Sequence, residues 1–335
     1  MSDNFIAPKP KTGEPYDTII IGSGPAGLTA GIYTTRGALS TLILGGTKWG
    51  GQLMLTTEVE NYPGFPEGIQ GPELMEKFRS QAARFGAEIK LEDVESVDFS
   101  QRPFKVNAGN MGYEGKSVII ATGADTIWLG LESEQKLIGR GISSCAPCDA
   151  PFFREKRVVV VGGGDSAMEE AMVLTKYASE ITIIHRRDAF RASDIMQKKV
   201  LANPKIKVIW NSEVVEVMGE MRVMGVKIKN NQTNKVAEMP IDGVFVAIGH
   251  SPMTNIFQGK IELDEKGYVV KNQKSEIKNK QSLLSNSQNY STATNIEGVF
   301  VAGDVHDHHY KQAVTAAGFG CQAAMDCERW LESQK

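Results

Sequence analysis

Tyr16-Asp17-Thr18-Ile19-Ile20-Ile21-Gly22-Ser23-Gly24-Pro25-Ala26-Gly27 is the stretch on which the fold turns. Thr18 to Ile21 is a short β-branched run and reads as a buried parallel strand. Gly22 permits a tight turn, Gly24 lets the backbone approach a pyrophosphate, and Gly27 lets the next helix pack closely on the strand. Leu28 to Arg36 has a helical pattern, so an anionic ligand would meet free N–H groups and the positive end of a helix dipole. A Gly-rich turn alone is weak evidence; placed between a strand and a helix it makes Gly22, Ser23, Gly24, Pro25, Ala26 and Gly27 candidate nucleotide-binding residues. One part of the pattern is missing. An acid about 20 residues on would bind ribose hydroxyls, but the second strand, Thr41 to Leu44, ends in Gly45-Gly46-Thr47-Lys48.

Working outward, the same opening recurs at Arg157-Val-Val-Val-Val-Gly162-Gly163-Gly164-Asp165-Ser166-Ala167, with a helical pattern from Ser166 to Lys176. Ala167 in the third position still allows close helix–strand packing. The next strand, Glu180 to Ile184, runs into His185-Arg186-Arg187-Asp188-Ala189-Phe190-Arg191, beginning about 21 residues after Gly164. An acid there favours NAD, whereas arginines suit a 2′-phosphate, whose oxygens a planar guanidinium meets bidentately. At this offset a solvated basic turn is the weaker explanation, and NADPH is the expected ligand.

Val118-Ile-Ile-Ala-Thr-Gly123 and Val244-Phe-Val-Ala-Ile-Gly249 read as strands that close the first and second nucleotide domains. The expected fold is α/β, with two Rossmann-like three-layer domains, the second inserted into the first. Residues 1–124 and 250–335 would form one domain and 125–249 the other. The chain has 335 residues, long for one domain and natural for two. Residues 271–294, rich in Asn, Gln, Lys and Ser, read as an exposed loop.

Cys145-Ala146-Pro147-Cys148-Asp149 lies about 14 residues before the second Gly-rich turn. The spacing lets two thiols close a small ring, with an acid beside the second sulfur. Cys-x-x-Cys is also half a zinc site, and that alternative needs a second pair of ligands. Only Cys321 and Cys327 remain, and their Ala-rich helical setting reads as core. His306-Asp307-His308-His309 resembles a metal cluster, but no matched carboxylate or Cys ligand can be placed beside it, and no metal is expected.

Asn295-Ile-Glu-Gly-Val-Phe-Val-Ala-Gly303-Asp304 brings an acid to the C-terminal end of a strand, where open α/β sheets bind ligands. That acid can hold hydroxyls of a ribityl chain or cap the following helix. Lys311-Gln312-Ala313 starts a helix reaching to about Trp330.

Composition narrows the classes. Hydrophobic residues make up 41% of the chain, enough for packed cores, and the net charge is −3. With a pI of about 6.0, no basic field favours nucleic acid. No apolar run approaches the roughly 18 residues of a membrane span, and Met1 to Glu14 lacks the apolar stretch of a signal peptide. Four cysteines, two of them in a redox-type pair, suit a reducing compartment, so cytoplasmic localisation is expected.

Taken together, Gly22-Ser-Gly-Pro-Ala-Gly27, Gly50-Gly51-Gln52-Leu53, Thr57-Glu-Val-Glu-Asn61-Tyr-Pro-Gly64, Cys145-Ala-Pro-Cys148-Asp149, Gly162 to Ala167, His185 to Arg191, and Gly303-Asp304-Val with Gln312-Ala313 resemble the bacterial-type, low-molecular-weight thioredoxin reductases over roughly residues 15 to 333. The resemblance implies a homodimer that carries electrons from NADPH through FAD to the disulfide of thioredoxin or a thioredoxin-like protein. It implies FAD contacts at the Gly22–Gly27 turn, Gly51, Gln52, Asn61, Gly123, Gly303, Asp304, Gln312 and Ala313. It implies NADPH contacts at Gly162, Gly164, Asp165, Ser166, Ala167, His185, Arg186, Arg187 and Arg191. Cys148 would face the flavin, Cys145 would attack the partner disulfide, and Asp149 would serve the dithiol as acid and base. It also implies rotation of the NADPH domain, with hinges near Gly123-Ala124 and Gly249-His250.

The chain departs from the family pattern at the redox turn. Pro147 stands where Thr is usual, and Ala150-Pro151-Phe152 replaces Gly-Phe-Phe. Each proline removes an N–H donor and stiffens the turn. Two alternatives stay open: a related NADPH flavoprotein acting on another dithiol or disulfide partner, and a non-enzymatic flavin redox sensor.

Overall fold

The computed structural model describes residues 6–272 and 290–335, and the chain divides into two compact units. The first spans Met1–Glu58, Tyr62–Asp125 and Ser251–Lys335; the second spans Val59–Asn61 and Thr126–His250. The chain leaves and re-enters the first unit through two short strands, Ala124–Thr126 and His250–Pro252, which pair with each other. Gly123 and Gly249, the two glycines just before them, have φ of +74° and +123°.

In the first unit, Tyr16–Ile21 lies between Thr41–Leu44 and Met111–Ile120 and is parallel to both. Glu88–Lys90 and Val299–Val301 extend the parallel part, while Phe104–Ala108 and Val94–Asp98 continue it antiparallel. Alternate side chains of a strand point to opposite faces. Accordingly Ile20, Ile43, Ile119 and Phe300 join one core with Leu28, Ala323 and Trp330 from the helices. Ile19, Ile21, Leu42, Val118, Ile120 and Val301 join another with Phe99, Phe104 and Phe257. A central strand buried on both faces reads as a continuous apolar run, which is why Ile19-Ile20-Ile21 contains no polar residue. Each such side chain contributes about 1.5–3 kcal/mol relative to exposure. Helix Pro25–Arg36 lies against helix Ala313–Ser333 so closely that a Cβ on Gly320 would overlap the backbone of Ala26.

The second unit repeats the plan with a different outer layer. Its parallel sheet runs in the order Ile142–Ser143, Gly243–Ala247, Arg157–Gly162, Glu180–Ile184, Ile206–Ile209. Val158, Val160, Ile181 and Phe245 pack on Ala167, Ala171 and Leu174 of helix Asp165–Leu174. Val159, Val161, Val244 and Val246 pack on Val214, Val226 and Ile228 of an antiparallel three-stranded sheet. Both units are Rossmann-like.

Two sequence expectations change. Of the loop expected at 271–294, residues 273–289 lie outside the described residues, and the part that follows is exposed only at Ser291: Thr292 and Thr294 are buried. Asp326 of the C-terminal helix accepts hydrogen bonds from the Thr292 N–H and hydroxyl at 3.0 and 2.8 Å. Of the two helical cysteines, Cys327 is core, in contact with the Thr18 and Ser117 hydroxyls, but Cys321 is only half-buried.

Candidate active site

The first Gly-rich turn is held from its flank. Ser23 Oγ donates to the Gly45 carbonyl at 2.9 Å and accepts the Gly50 N–H at 3.1 Å. The position where an acid was missed is therefore occupied by backbone tied to the turn itself. Helix Pro25–Arg36 begins with Pro25, which needs no N–H partner there, and no side chain caps its N-terminus. Its N–H groups remain for a ligand. A Cβ on Gly27 would overlap the Gly22 carbonyl, so only glycine fits at the third position. The Gln52 side-chain amide donates to Asp125 at 2.8 Å, and Asn61 groups with the second unit.

Asp304 follows strand Val299–Val301 in a single helical turn, Gly303–Val305. Its Oδ1 is buried and has no hydrogen-bond partner. Burial, then the nearby Asp307 charge, raises its pKa to about 6, against the opposing effect of Lys311. Asp304 does not cap the C-terminal helix. Gln312 does, in a capping box with Thr315. Asp307 instead shapes the intervening turn by accepting the N–H groups of His309, Tyr310 and Lys311. The histidines separate: burial lowers His306 to about 4, so it is neutral and packs on Phe319, whereas His308 meets Asp264 at 2.8 Å. Among the described residues no group of three or more His, Cys, Asp and Glu is arranged to hold a metal.

An uncapped helix N-terminus, a glycine-lined approach and a lone buried carboxylate acceptor fit a dinucleotide that brings phosphates to the first and hydroxyls to the last.

The second turn is braced by residues the sequence left unconnected. The Asp165 carboxylate accepts the Ser193 N–H at 2.9 Å and its hydroxyl at 2.8 Å, and these bonds hold its pKa below the ordinary range. The Arg191 backbone N–H donates to the Gly163 carbonyl at 2.7 Å. His185 is buried against Phe190 and Trp210 and pairs with the Ala189 carbonyl at 3.0 Å. Burial pushes the His185 pKa down, so it is a neutral packing residue beneath the turn. Buried His185, Phe190 and Ala192 thus anchor a segment that displays Arg186, Arg187 and Arg191 to solvent. Among the described residues none of these guanidinium groups has a carboxylate partner within ion-pair distance, and helix Asp165–Leu174 also starts without a side-chain cap. The arrangement suits a phosphorylated ribose beside a pyrophosphate.

Cys145 and Cys148 form a disulfide with Cα atoms 5.3 Å apart, so the two thiols are not a zinc half-site here. Cys145 is the N-cap of a short helix, Ala146–Asp149; the Cys148 and Asp149 N–H groups return to its carbonyl at 3.2 and 3.1 Å. Ser143 Oγ accepts the Cys145 N–H at 3.0 Å. Pro147 and Pro151 both fall in first turns, Pro151 in the following turn Ala150–Phe153. There an N–H would have no helical partner, so the prolines cost no ladder bond. Burial raises the Asp149 pKa, partly offset by a hydrogen bond from Ser143. The Ala146 N–H donates to the Glu170 carboxylate, a partner the sequence reading missed. Its trace was visible: Glu170 is an acid at helical spacing from Ala167 and Leu174, on the face that packs inward.

A profile of the pyridine nucleotide-disulphide oxidoreductase family matches residues 16–320. The chain belongs to this family. Two curated members are similar to it along nearly their whole length. The thioredoxin reductase of Mycolicibacterium smegmatis is 48% identical over 319 residues, covering 95% of this chain and 97% of that one. The thioredoxin reductase of Rickettsia conorii is 50% identical over 318 residues, covering 93% and 97%. Among solved structures, the thioredoxin reductase from Giardia duodenalis superposes with a TM-score of 0.86 at 42% identity, covering 95% of this chain and 99% of that one. As a pyridine nucleotide-disulphide oxidoreductase, the chain carries both features of the family's name: a second Gly-rich turn suited to a phosphorylated nucleotide and a Cys145–Cys148 disulfide in the same unit.

Proposed function

We propose that this oxidoreductase reduces the disulfide of thioredoxin or a thioredoxin-like protein, with electrons from NADPH. The observation that carries the proposal is the Cys145–Cys148 disulfide at the head of a short helix, with Asp149 following Cys148 in that helix. The Gly22–Gly27 turn, Gly51, Gln52, Asn61, Gly123, Gly303, Asp304 and the Gln312-Ala313 backbone would hold FAD. Bound FAD supplies two-electron chemistry between nicotinamide and disulfide. Gly162, Gly164, Ser166, Ala167, Arg186, Arg187 and Arg191 would hold NADPH, with Asp165 and His185 shaping the turn rather than touching the ligand. We extend the reading to a cytoplasmic homodimer with domain limits near 124 and 249; a reducing compartment suits a dithiol product.

In the half-reaction with the partner, the Cys145 thiolate attacks one sulfur of the partner disulfide. A mixed disulfide forms, the partner's S–S bond breaks, and its departing thiolate takes a proton from Asp149. Cys148 then attacks Cys145 Sγ, which re-forms the Cys145–Cys148 bond and releases the second partner thiolate, protonated by the proton Cys148 gives up. Two electrons pass from the dithiol to the partner. Cys148→Ser should lower NADPH-driven thioredoxin reduction by more than about 1000-fold, as loss of a covalent intermediate does, while NADPH still reduces the bound flavin. Full thioredoxin reduction by a flavin-loaded Cys148→Ser protein would end the proposal.

A further inference from the structure

Arg186 and Arg187 hang from a segment that is neither strand nor helix: strand Glu180–Ile184 ends before it and helix Asp194–Leu201 begins after it. A planar guanidinium meets a phosphate through two parallel bonds only when it is aimed, so the backbone that carries it must be held. Here the outer antiparallel sheet holds it. The His185 carbonyl accepts the Ser212 N–H and the Arg187 carbonyl accepts the Asn211 N–H, each at 3.0 Å. The Arg186 carbonyl accepts the side-chain amide of Asn231 at 3.4 Å. Ser212 opens strand Ser212–Met218, and Asn231 lies in the hairpin turn between Gly225–Asn230 and Val236–Pro240. Asn211 has a φ of +49°, in the left-handed region that Asn adopts more readily than most residues and that a β-branched side chain resists. Its N–H goes to Arg187, and its carbonyl accepts the Asn231 N–H at 2.7 Å. The hairpin turn closes on itself: Asn230 Oδ1 accepts the Gln232 and Thr233 N–H groups at 3.1 and 2.9 Å, and the Asn234 N–H returns to the Asn230 carbonyl at 2.8 Å. A chain of bonds thus runs from a self-closed turn, through Asn231 and Asn211, to the backbone of both arginines. Covering the core needs none of these bonds, since Val214, Val226 and Ile228 on the inner face of the sheet do that.

We propose that Asn211 and Asn231 are positioning residues for the choice of nucleotide: they hold the Arg186–Arg187 backbone so that both guanidinium groups meet a 2′-phosphate, without touching the nucleotide themselves. This deepens the proposed function and rests on the reading of the two arginines as the 2′-phosphate site. The preference for a phosphorylated ribose then depends on a hairpin turn 45 residues along the chain from Arg186. The effect is selective by construction. A nucleotide without the 2′-phosphate makes no bond to the arginine fork, so it loses nothing when the fork is misaimed. Misaiming also costs less than deletion, because a displaced guanidinium keeps its charge near the phosphate while losing the paired geometry.

The test is calorimetric titration of the FAD-loaded, oxidised enzyme with NADP⁺ and with NAD⁺, which bind without turnover. The quantity read is the ratio of the two dissociation constants. Asn231→Ala removes the side-chain donor to Arg186, and Asn211→Val puts a β-branched residue where φ is +49°. Each should weaken NADP⁺ several-fold, up to about tenfold for Asn211→Val, the order of one charge-assisted hydrogen bond, and leave NAD⁺ unchanged. Asn211→Gly takes up the same φ without strain and should keep the parent's ratio. Equal weakening of both nucleotides, or a ratio that stays at the parent's in Asn231→Ala, overturns the proposal. If Asn211→Val does not fold, Asn231→Ala, at an exposed position, decides alone. The parent protein separates this inference from the reading beneath it. A parent that binds both nucleotides alike removes the 2′-phosphate assignment and this inference with it. A parent that prefers NADP⁺, beside an Asn231→Ala protein that prefers it as strongly, sinks only the positioning role.

Discussion

The two Gly-rich turns are built alike and finished differently. Each follows a central parallel strand and opens a helix with no side-chain cap. In the first, the third small residue must be glycine because its Cα faces the Gly22 carbonyl. In the second, Ala167 fits at the third position, while the first glycine is crowded in both turns: a Cβ on Gly22 would overlap the Ala121 carbonyl and one on Gly162 the Ala247 carbonyl. The first turn is bound to its flank through one serine and backbone; the second is bound through a charged clasp, Asp165 to Ser193, and presents arginines. The same local geometry can thus be finished for different ligands, since the segment after the second strand, rather than the turn, is what differs most between them.

The sharpest way to break the comparison is a methyl group. Gly27→Ala should destabilise the first unit by more than about 3 kcal/mol, because the clash is with backbone that cannot move aside, and flavin content should collapse with it. Ala167→Gly should cost only about 1 kcal/mol, the helix propensity difference. Thermal unfolding and flavin absorbance read both; equal costs would show that the third position is not what distinguishes the turns. Next in size is the ligand itself. Arg186→Ala with Arg187→Ala should weaken NADPH binding about 100-fold, the worth of two charge-assisted contacts, with little change for NADH. Direct binding of both nucleotides decides it, and equal loss would remove the 2′-phosphate assignment.

The smallest effect separates one acid of each unit, Asp304 and Asp165, by pH. The folded-state pKa of Asp304 is about 6, above its unfolded value of 3.8. Its ionisation therefore weakens the flavin-free fold as pH rises from about 4 through 6. Asp304→Asn should raise the stability of flavin-stripped protein at pH 7.5 by about 1–2 kcal/mol and leave it unchanged at pH 3.5. Asp165 has the opposite sign, since the Ser193 bonds depress its pKa. Its contribution is present above the unfolded value and lost as pH falls. Denaturant curves for Asp304→Asn and Asp165→Asn at both pH values should diverge in direction; parallel curves would contradict the contrast.

Much of this framework could be read from sequence because it is local. The strand expected at Thr18–Ile21 is observed as Tyr16–Ile21, and the helix expected from Leu28 begins three residues earlier because Pro25 suits a first turn. The Cys145–Cys148 pairing, read as able to close, is closed. What the sequence hid were choices of partner made across the chain. Asp304 looked equally fit to cap a helix until Gln312 and Thr315 took that role. Thr292 and Thr294 sit in a polar stretch, yet Asp326, 34 residues beyond Thr292, draws the first of them into the interior. Glu170 and Asp165 take partners, the Ala146 N–H and Ser193, that lie 24 and 28 residues away, beyond the reach of any local spacing rule. Periodicity reports which face is buried, but not which hydrogen bonds are exchanged there.

Pro147 and Pro151 have a consequence for the enzyme between turnovers. When the Cys145–Cys148 bond is open, a more flexible turn would let the sulfurs wander, and each closure would have to recover that lost order. Two fixed φ angles leave the open form few conformations to explore. The second thiol then sits at high effective concentration beside the first, so a mixed disulfide with the partner is resolved quickly rather than left as a stalled adduct.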